Sequence, residues 1–202
     1  MDTTVTPGPG TPRLNNHGEN GFTLIEVMIS IAILTVGIVA LIGTFAAAVS
    51  LARSAQEDLI AKQKALEAAE SIFTARNTQQ IVFKQVANVA SGGIFKDGYQ
   101  PLLAAGPDGL VGTTDDVAFP GCPGGVECMT LPGPDGILGT ADDQVVSLAN
   151  FSRQILICPV LEPDGVTVDP NLKQITVNVQ YIKPGLETPR TYTTSALISS
   201  YR

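Results

Sequence analysis

The chain changes character sharply within its first thirty residues. Met1–Asn20 is polar and rich in Thr, Pro, Gly and Asn, whereas Val27–Leu51 is an uncharged apolar run of 25 residues. Only the hydroxyls of Ser30, Thr35, Thr44 and Ser50 and the bare backbone of Gly37 and Gly43 interrupt that run. As a helix it extends about 37 Å at roughly 1.5 Å per residue, enough to cross a bilayer core. From Ala52 to Arg76 the helical pattern continues with charges at Arg53, Glu57, Lys62, Lys64, Glu67 and Glu70. Leu59, Leu66 and Phe73 recur every seven residues, supported by Ala55, Ala69 and Ile72, which predicts one apolar stripe packed on a domain. No proline stands between Pro12 and Pro101, so one helix is expected from about Thr23 to Arg76, ending at Asn77.

Past the helix the pattern weakens and then turns β. Ile81, Val82, Val86 and Val89 extend the helix or begin a connecting segment, and Ser91-Gly92-Gly93 ends either. Residues 101–147 are rich in Gly, Pro and Asp, which predicts loop with short strands at most. Phe151–Cys158 is an apolar run, and in Leu172–Lys183 the residues Ile175, Val177, Val179 and Tyr181 alternate with Thr176, Asn178 and Gln180. That alternation predicts a half-buried strand. Pro184-Gly185 begins a turn, and Arg190–Tyr201 returns with Tyr192, Thr194, Ala196 and Ile198 on one face. The fold class expected is α+β, closed by an antiparallel hairpin.

Charge and chemistry narrow the function classes. Twelve Lys and Arg stand against 19 Asp and Glu, a formal net charge of −7. With no basic run, a general grip on nucleic acid, which rests on neutralising phosphates, is not expected. The sole histidine, His17, precedes the apolar run. Beyond it there is no imidazole for a nucleophile pair or a His-ligated zinc site, and no Gly-x-Ser-x-Gly elbow, so no enzyme is expected. Of three cysteines, Cys122 and Cys128 can close a short disulfide loop and leave Cys158 unpaired, or one of them can reach Cys158. Sequence does not choose the connectivity.

The Gly-rich region contains a repeat. Gly106-Pro107-Asp108-Gly109-Leu110-Val111-Gly112-Thr113-Thr114-Asp115-Asp116 returns 27 residues later as Gly133-Pro134-Asp135-Gly136-Ile137-Leu138-Gly139-Thr140-Ala141-Asp142-Asp143, identical at eight of eleven positions. Calcium takes six to eight oxygens from carboxylates and main-chain carbonyls in flexible loops. On that reading Asp108, Asp115 and Asp116 serve one site, Asp135, Asp142 and Asp143 another, with carbonyls such as those of Leu110 and Ile137 completing them. The other reading is turn chemistry, with Pro-Asp-Gly in two hairpins and the Asp-Asp pairs solvated.

One acidic residue, Glu26, begins the apolar segment in the context Gly21-Phe22-Thr23-Leu24-Ile25-Glu26-Val27. A carboxylate inside a membrane is costly unless it finds a partner, so it marks a functional position. This context resembles the processing site of type IV prepilins and of the related pseudopilins of type II secretion. The polar leader also suits prepilins, since a secretory signal peptide would carry an apolar h-region before its cut. The resemblance implies a type IV pilin fold, with a long N-terminal helix whose second half lies on a C-terminal antiparallel sheet. It implies a leader at 1–21, a helix at 22–78 that spans the membrane to about residue 51, and a β-rich head at 79–202. Gly21 would be the last leader residue, cut by prepilin peptidase, and Phe22 the N-methylated new terminus. Glu26 would meet the N-terminal amine of a neighbouring subunit, two charges that are each costly buried alone and tolerable together.

Other pilin or pseudopilin subunits and an inner-membrane assembly platform are the partners implied. The location implied is the bacterial inner membrane, as a single-pass prepilin, and then a periplasmic or extracellular fibre. Major pilins usually carry a helix-loosening proline near the position of Gly43, and its absence here fits a minor pilin or minor pseudopilin. The acidic loops resemble the calcium-binding Asp-Gly-rich loop of major pseudopilins, with a different spacing. The readings in order are a minor pilin of a type IV pilus, a minor pseudopilin of type II secretion, and a calcium-stabilised adhesive module.

Overall fold

The structure is a computed structural model that describes residues 21–182 and 188–201. Residues 1–20 of the expected leader, with His17, and the expected Pro184-Gly185 turn lie outside the described residues. The described chain falls into two units, one running to Val49 and one beginning at Ser50.

The first unit is the front of helix α1, Leu24–Asn77, and it explains itself by composition. Every side chain from Gly21 to Ser50 is exposed, apolar ones included. Among the described residues, α1 is the one helix long and apolar enough to cross a membrane. Its hydroxyls are satisfied locally: Thr35 Oγ1 donates to the Ala32 carbonyl and Thr44 Oγ1 to the Leu41 carbonyl, each at 2.8 Å. A hydroxyl bonded back in this way costs an apolar helix little.

In the second unit the rear of α1 packs on a four-stranded antiparallel sheet. The strands are β1 (Gln100–Pro101), β4 (Phe151–Leu161), β5 (Val168–Tyr181) and β6 (Arg190–Ser199), in the order β1-β4-β5-β6. A separate antiparallel hairpin joins β2 (Cys128–Leu131) to β3 (Gln144–Ser147). The expected alternation holds in β5, where Ile175, Val177, Val179 and Tyr181 are all buried. Ile155 pairs with Val177, and Val177 with Thr194, which fixes the register of β4, β5 and β6. Because strand side chains alternate with period two, this register puts Phe151, Ile155 and Ile157 on the same core face as the β5 row.

Of the expected stripe, Ala69 and Ile72 are buried and Phe73 packs half-buried on the core, but Ala55 and the two leucines face outward. Leu59 and Leu66 are exposed, and the buried line is Ala61, Ala65, Ala68, Ile72 and Ala75, at helical spacings of three and four. That line is one of small residues with a single large one, Ile72. A polar clip sits at one end of this contact. Tyr181 Oη donates to Asp58 Oδ1, and Arg190 pairs with Asp58 Oδ2 at 3.3 Å.

Residues 79–99 form neither more α-helix nor a named strand, and Gln100 opens β1. They make two short 3-10 turns, Phe83–Gln85 and Val89–Ser91, the second ended by Gly92 in the left-handed region. Buried Asn88 then acts as a strand fragment, donating from Nδ2 to the Ile155 carbonyl at 2.7 Å and accepting from the Ile157 amide at 2.8 Å. Without it those edge groups of β4 would be buried and unpaired.

Candidate functional site

The processing and assembly residues stand together at the start of α1. Gly21 and Phe22 are exposed and precede the helix. Thr23 is its cap: its Oγ1 accepts from the Glu26 amide at 3.3 Å and its carbonyl accepts from the Val27 amide at 3.2 Å. The Thr-x-x-Glu spacing is the sequence signature of such a start, and it was available as a cap signal in addition to the motif itself. Glu26 occupies the first helical turn, where a carboxylate is favoured by the unsatisfied amides and the helix dipole.

The two acidic loops share one hydrogen-bond pattern. In the first, Asp108 Oδ1 accepts from the Leu110 amide at 2.8 Å, while Asp115 accepts from the Asp108 amide at 3.2 Å and from Thr113 Oγ1 at 2.7 Å. In the second, Asp135 Oδ1 accepts from the Ile137 amide at 2.8 Å, while Asp142 accepts from the Asp135 amide at 3.3 Å and from Thr140 Oγ1 at 2.6 Å. Asp116 takes the Gly112 amide at 2.8 Å, and Asp143 takes the Gly139 amide at 2.6 Å. The opening glycines are required in both: a Cβ at Gly106 would strike the Asp115 backbone and carboxylate, and one at Gly133 would strike those of Asp142. Thr113 and Thr140 are thus members of the site that the acidic pattern alone did not single out, although both are invariant between the two copies.

The electrostatics follow from these bonds. The Thr113 hydroxyl holds the Asp115 carboxyl below the usual carboxylate range, and the Thr140 hydroxyl does the same for Asp142. Burial pushes Asp108 up, and the nearby charge of Asp115 adds to the rise. Asp108 and Asp115 therefore face each other as like charges. The loops differ in a few bonds, including one from Thr140 Oγ1 to the Ile137 carbonyl at 3.0 Å in the second alone. Asp116 Oδ1 accepts from Thr113 Oγ1 at 3.1 Å, whereas Asp143 Oδ1 is buried with no hydrogen-bond partner.

As donors to a metal, the six aspartates suit a hard cation in chemistry. Among the described residues, however, no three acidic, histidine or cysteine side chains gather at one point. Each loop draws two carboxylates together, and main-chain carbonyls would have to supply the other ligands.

Cys122 and Cys128 are joined in a disulfide, six positions apart with Cα atoms 5.7 Å apart, and Cys158 is free and exposed. This resolves the connectivity that sequence left open. The bond closes the segment that leads from the first loop into β2.

The family model of the prokaryotic N-terminal methylation motif matches residues 16–42. With the long apolar helix and the C-terminal antiparallel sheet, that motif supports a type IV pilin-like protein. The motif supports a pilin- or pseudopilin-like precursor and implies cutting by a peptidase and assembly with other pilin subunits. The motif's family is structural rather than catalytic, and the apolar helix fits a membrane-anchored prepilin. No curated protein and no solved structure matches the chain.

Proposed function

We propose that the chain is a minor pilin-like subunit of a type IV pilus, cut by prepilin peptidase after Gly21, methylated at Phe22 and assembled through Glu26. The observation that carries this reading is the front of α1. Its apolar residues are exposed all round, and its single charge, Glu26, stands in the first turn. Such a surface needs lipid before assembly and neighbouring helices after it, and Glu26 needs a cation in both exchanges. The amine freed at Phe22 on an adjacent subunit is that cation. The test is N-terminal mass analysis of the protein from cells with and without prepilin peptidase, beside a Glu26→Val variant. The expected result is a methylated Phe22 terminus only when the peptidase is present, and a variant that is cut, stays in the membrane and does not enter fibres. An unchanged Met1 terminus in peptidase-containing cells sinks the proposal.

A second reading is a minor pseudopilin of type II secretion, and a third, which the loops support, is an adhesive head stabilised by calcium at Asp108, Asp115 and Asp116 and at Asp135, Asp142 and Asp143. Its support is the paired carboxylates Asp108 and Asp115 and the unpartnered Asp143 Oδ1. Calcium is expected to raise the melting temperature of the native chain, and an Asp115→Asn/Asp142→Asn variant to lose that rise. Identical melting of the native chain in calcium and in chelator overturns the metal assignment.

A further inference from the structure

Away from the loops, the head holds a buried cation that its own hydrogen bonds leave alone. Arg153 lies on β4 in an otherwise apolar row with Phe151, Ile155 and Ile157, and is 4 % exposed. Nearby Lys64 is served twice, by Glu67 at 2.7 Å and by Glu127. Among the described residues, Arg153 has no side-chain hydrogen bond, and no carboxylate comes within 4.0 Å of it. Burial pushes its pKa down, and Glu67, Asp116 and Glu127 offset this only from a distance. The residue is buried, but its guanidinium nitrogens are not among the sealed, partnerless atoms; they open onto a cavity with five donors and no protein acceptor.

The missing acceptor has room. A cavity of about 260 Å³ is lined by Arg153, Glu67, Glu127 and Ser71 together with apolar residues that include Val111 and Phe119. That is below the usual range of drug-sized pockets, so the occupant has few heavy atoms. A guanidinium fork matches a planar carboxylate with two parallel hydrogen bonds. A plain anion would also meet Glu67 and Glu127, which line the same cavity. Glu67 and Glu127 each give one oxygen to Lys64, through Oε2 and Oε1 respectively, and each keeps its other oxygen. A ligand with a cationic end answers those two oxygens.

We propose that this cavity binds a small zwitterion of the α-amino acid type, its carboxylate forked on Arg153, its ammonium facing Glu67 and Glu127, and a short apolar side chain against Val111 and Phe119. The inference stands on the head alone and does not depend on the pilus reading.

Calorimetric titration of the full chain in detergent micelles, with L-alanine, acetate and methylammonium in turn, tests it. Alanine is expected to bind saturably at one site, acetate at least tenfold more weakly, and methylammonium not at all. Arg153→Lys keeps the charge and loses the fork, and should weaken alanine at least tenfold. Arg153→Met should abolish binding while melting no lower than the native chain, because an unpaired buried charge is removed. Glu67→Gln should weaken alanine and leave acetate unchanged or tighter. No saturable heat with alanine, or undiminished binding in both Arg153 variants, overturns the site. Acetate binding as tightly as alanine, or Glu67→Gln without effect on alanine, overturns the zwitterion. If Arg153→Met does not fold, Arg153→Lys decides.

Discussion

The first acidic loop and the second have nearly the same sequence and nearly the same internal hydrogen bonds, yet their apolar pairs meet opposite fates. In the first, Leu110 and Val111 are 1 % and 9 % exposed and belong to the core; in the second, Ile137 and Leu138 are 60 % and 61 % exposed. The first is also tied to its surroundings, with Gln80 Nε2 donating to the Asp108 carbonyl and the Lys96 amide donating to the Gly112 carbonyl at 2.7 Å. The second caps the β2–β3 hairpin. Loop shape is therefore set locally, by aspartates that accept from amides two residues on or four and seven residues back, and by glycines that admit them. Burial is a separate property conferred by what packs around. A motif can be repeated for its shape while only one copy contributes to the core.

The largest break in that comparison should come from the apolar pair itself. Leu110→Ala is expected to destabilise the head by about 2–5 kcal/mol, whereas Ile137→Ala should stay within about 0.5 kcal/mol. Denaturant titration of the full chain in micelles measures both, and equal costs would mean that the two loops share one environment. The opening glycines give the next effect. Gly106→Ala forces the Asp115 backbone aside and should cost about 1–3 kcal/mol through the core residues the loop carries. Gly133→Ala should disturb its own hairpin and leave the global midpoint almost unmoved.

The smallest effect is in titration. Asp115 and Asp142 have depressed folded pKa values, so their contributions are full above the unfolded value near about pH 4 and are lost as pH falls through the folded values. Asp108 is raised, so its contribution has the opposite sign: it is present at low pH and lost as pH rises through its folded value. Carboxyl chemical shifts should show Asp115 and Asp142 titrating below the usual range and Asp108 above it. Thr113→Val should move Asp115 up and leave Asp142 unmoved. A common shift in both would sink the local account.

These contrasts show what could be read from the residues. The front of α1 was legible because 25 uncharged residues admit few other structures, and β5 was legible because Ile175, Val177, Val179 and Tyr181 alternate without a fault. The processing motif was legible because it is contiguous. The inward face of the rear helix was legible only in part, since Leu59 and Leu66 outrank alanine on any apolar scale yet face outward. Arg153 hid in an apolar run whose strand parity, not its composition, sends it inward. Asn88 substitutes for a strand through side-chain bonds that no periodicity encodes. The differing burial of the twin loops depends on distant packing, to which an eleven-residue pattern is blind.

The alanine face of α1 has one further consequence, for how this chain can vary. Ala61, Ala65, Ala68 and Ala75 present single methyl groups to the core, and a dense interior leaves little slack to take up a larger one. Substitution there is one-sided: a residue can shrink towards glycine at a modest cost, but it cannot grow without lifting the helix away along its length. The outer face at Lys62, Gln63 and Glu70 has no such limit. Across descendants of this sequence, the four alanines should drift least and the leucines beside them most.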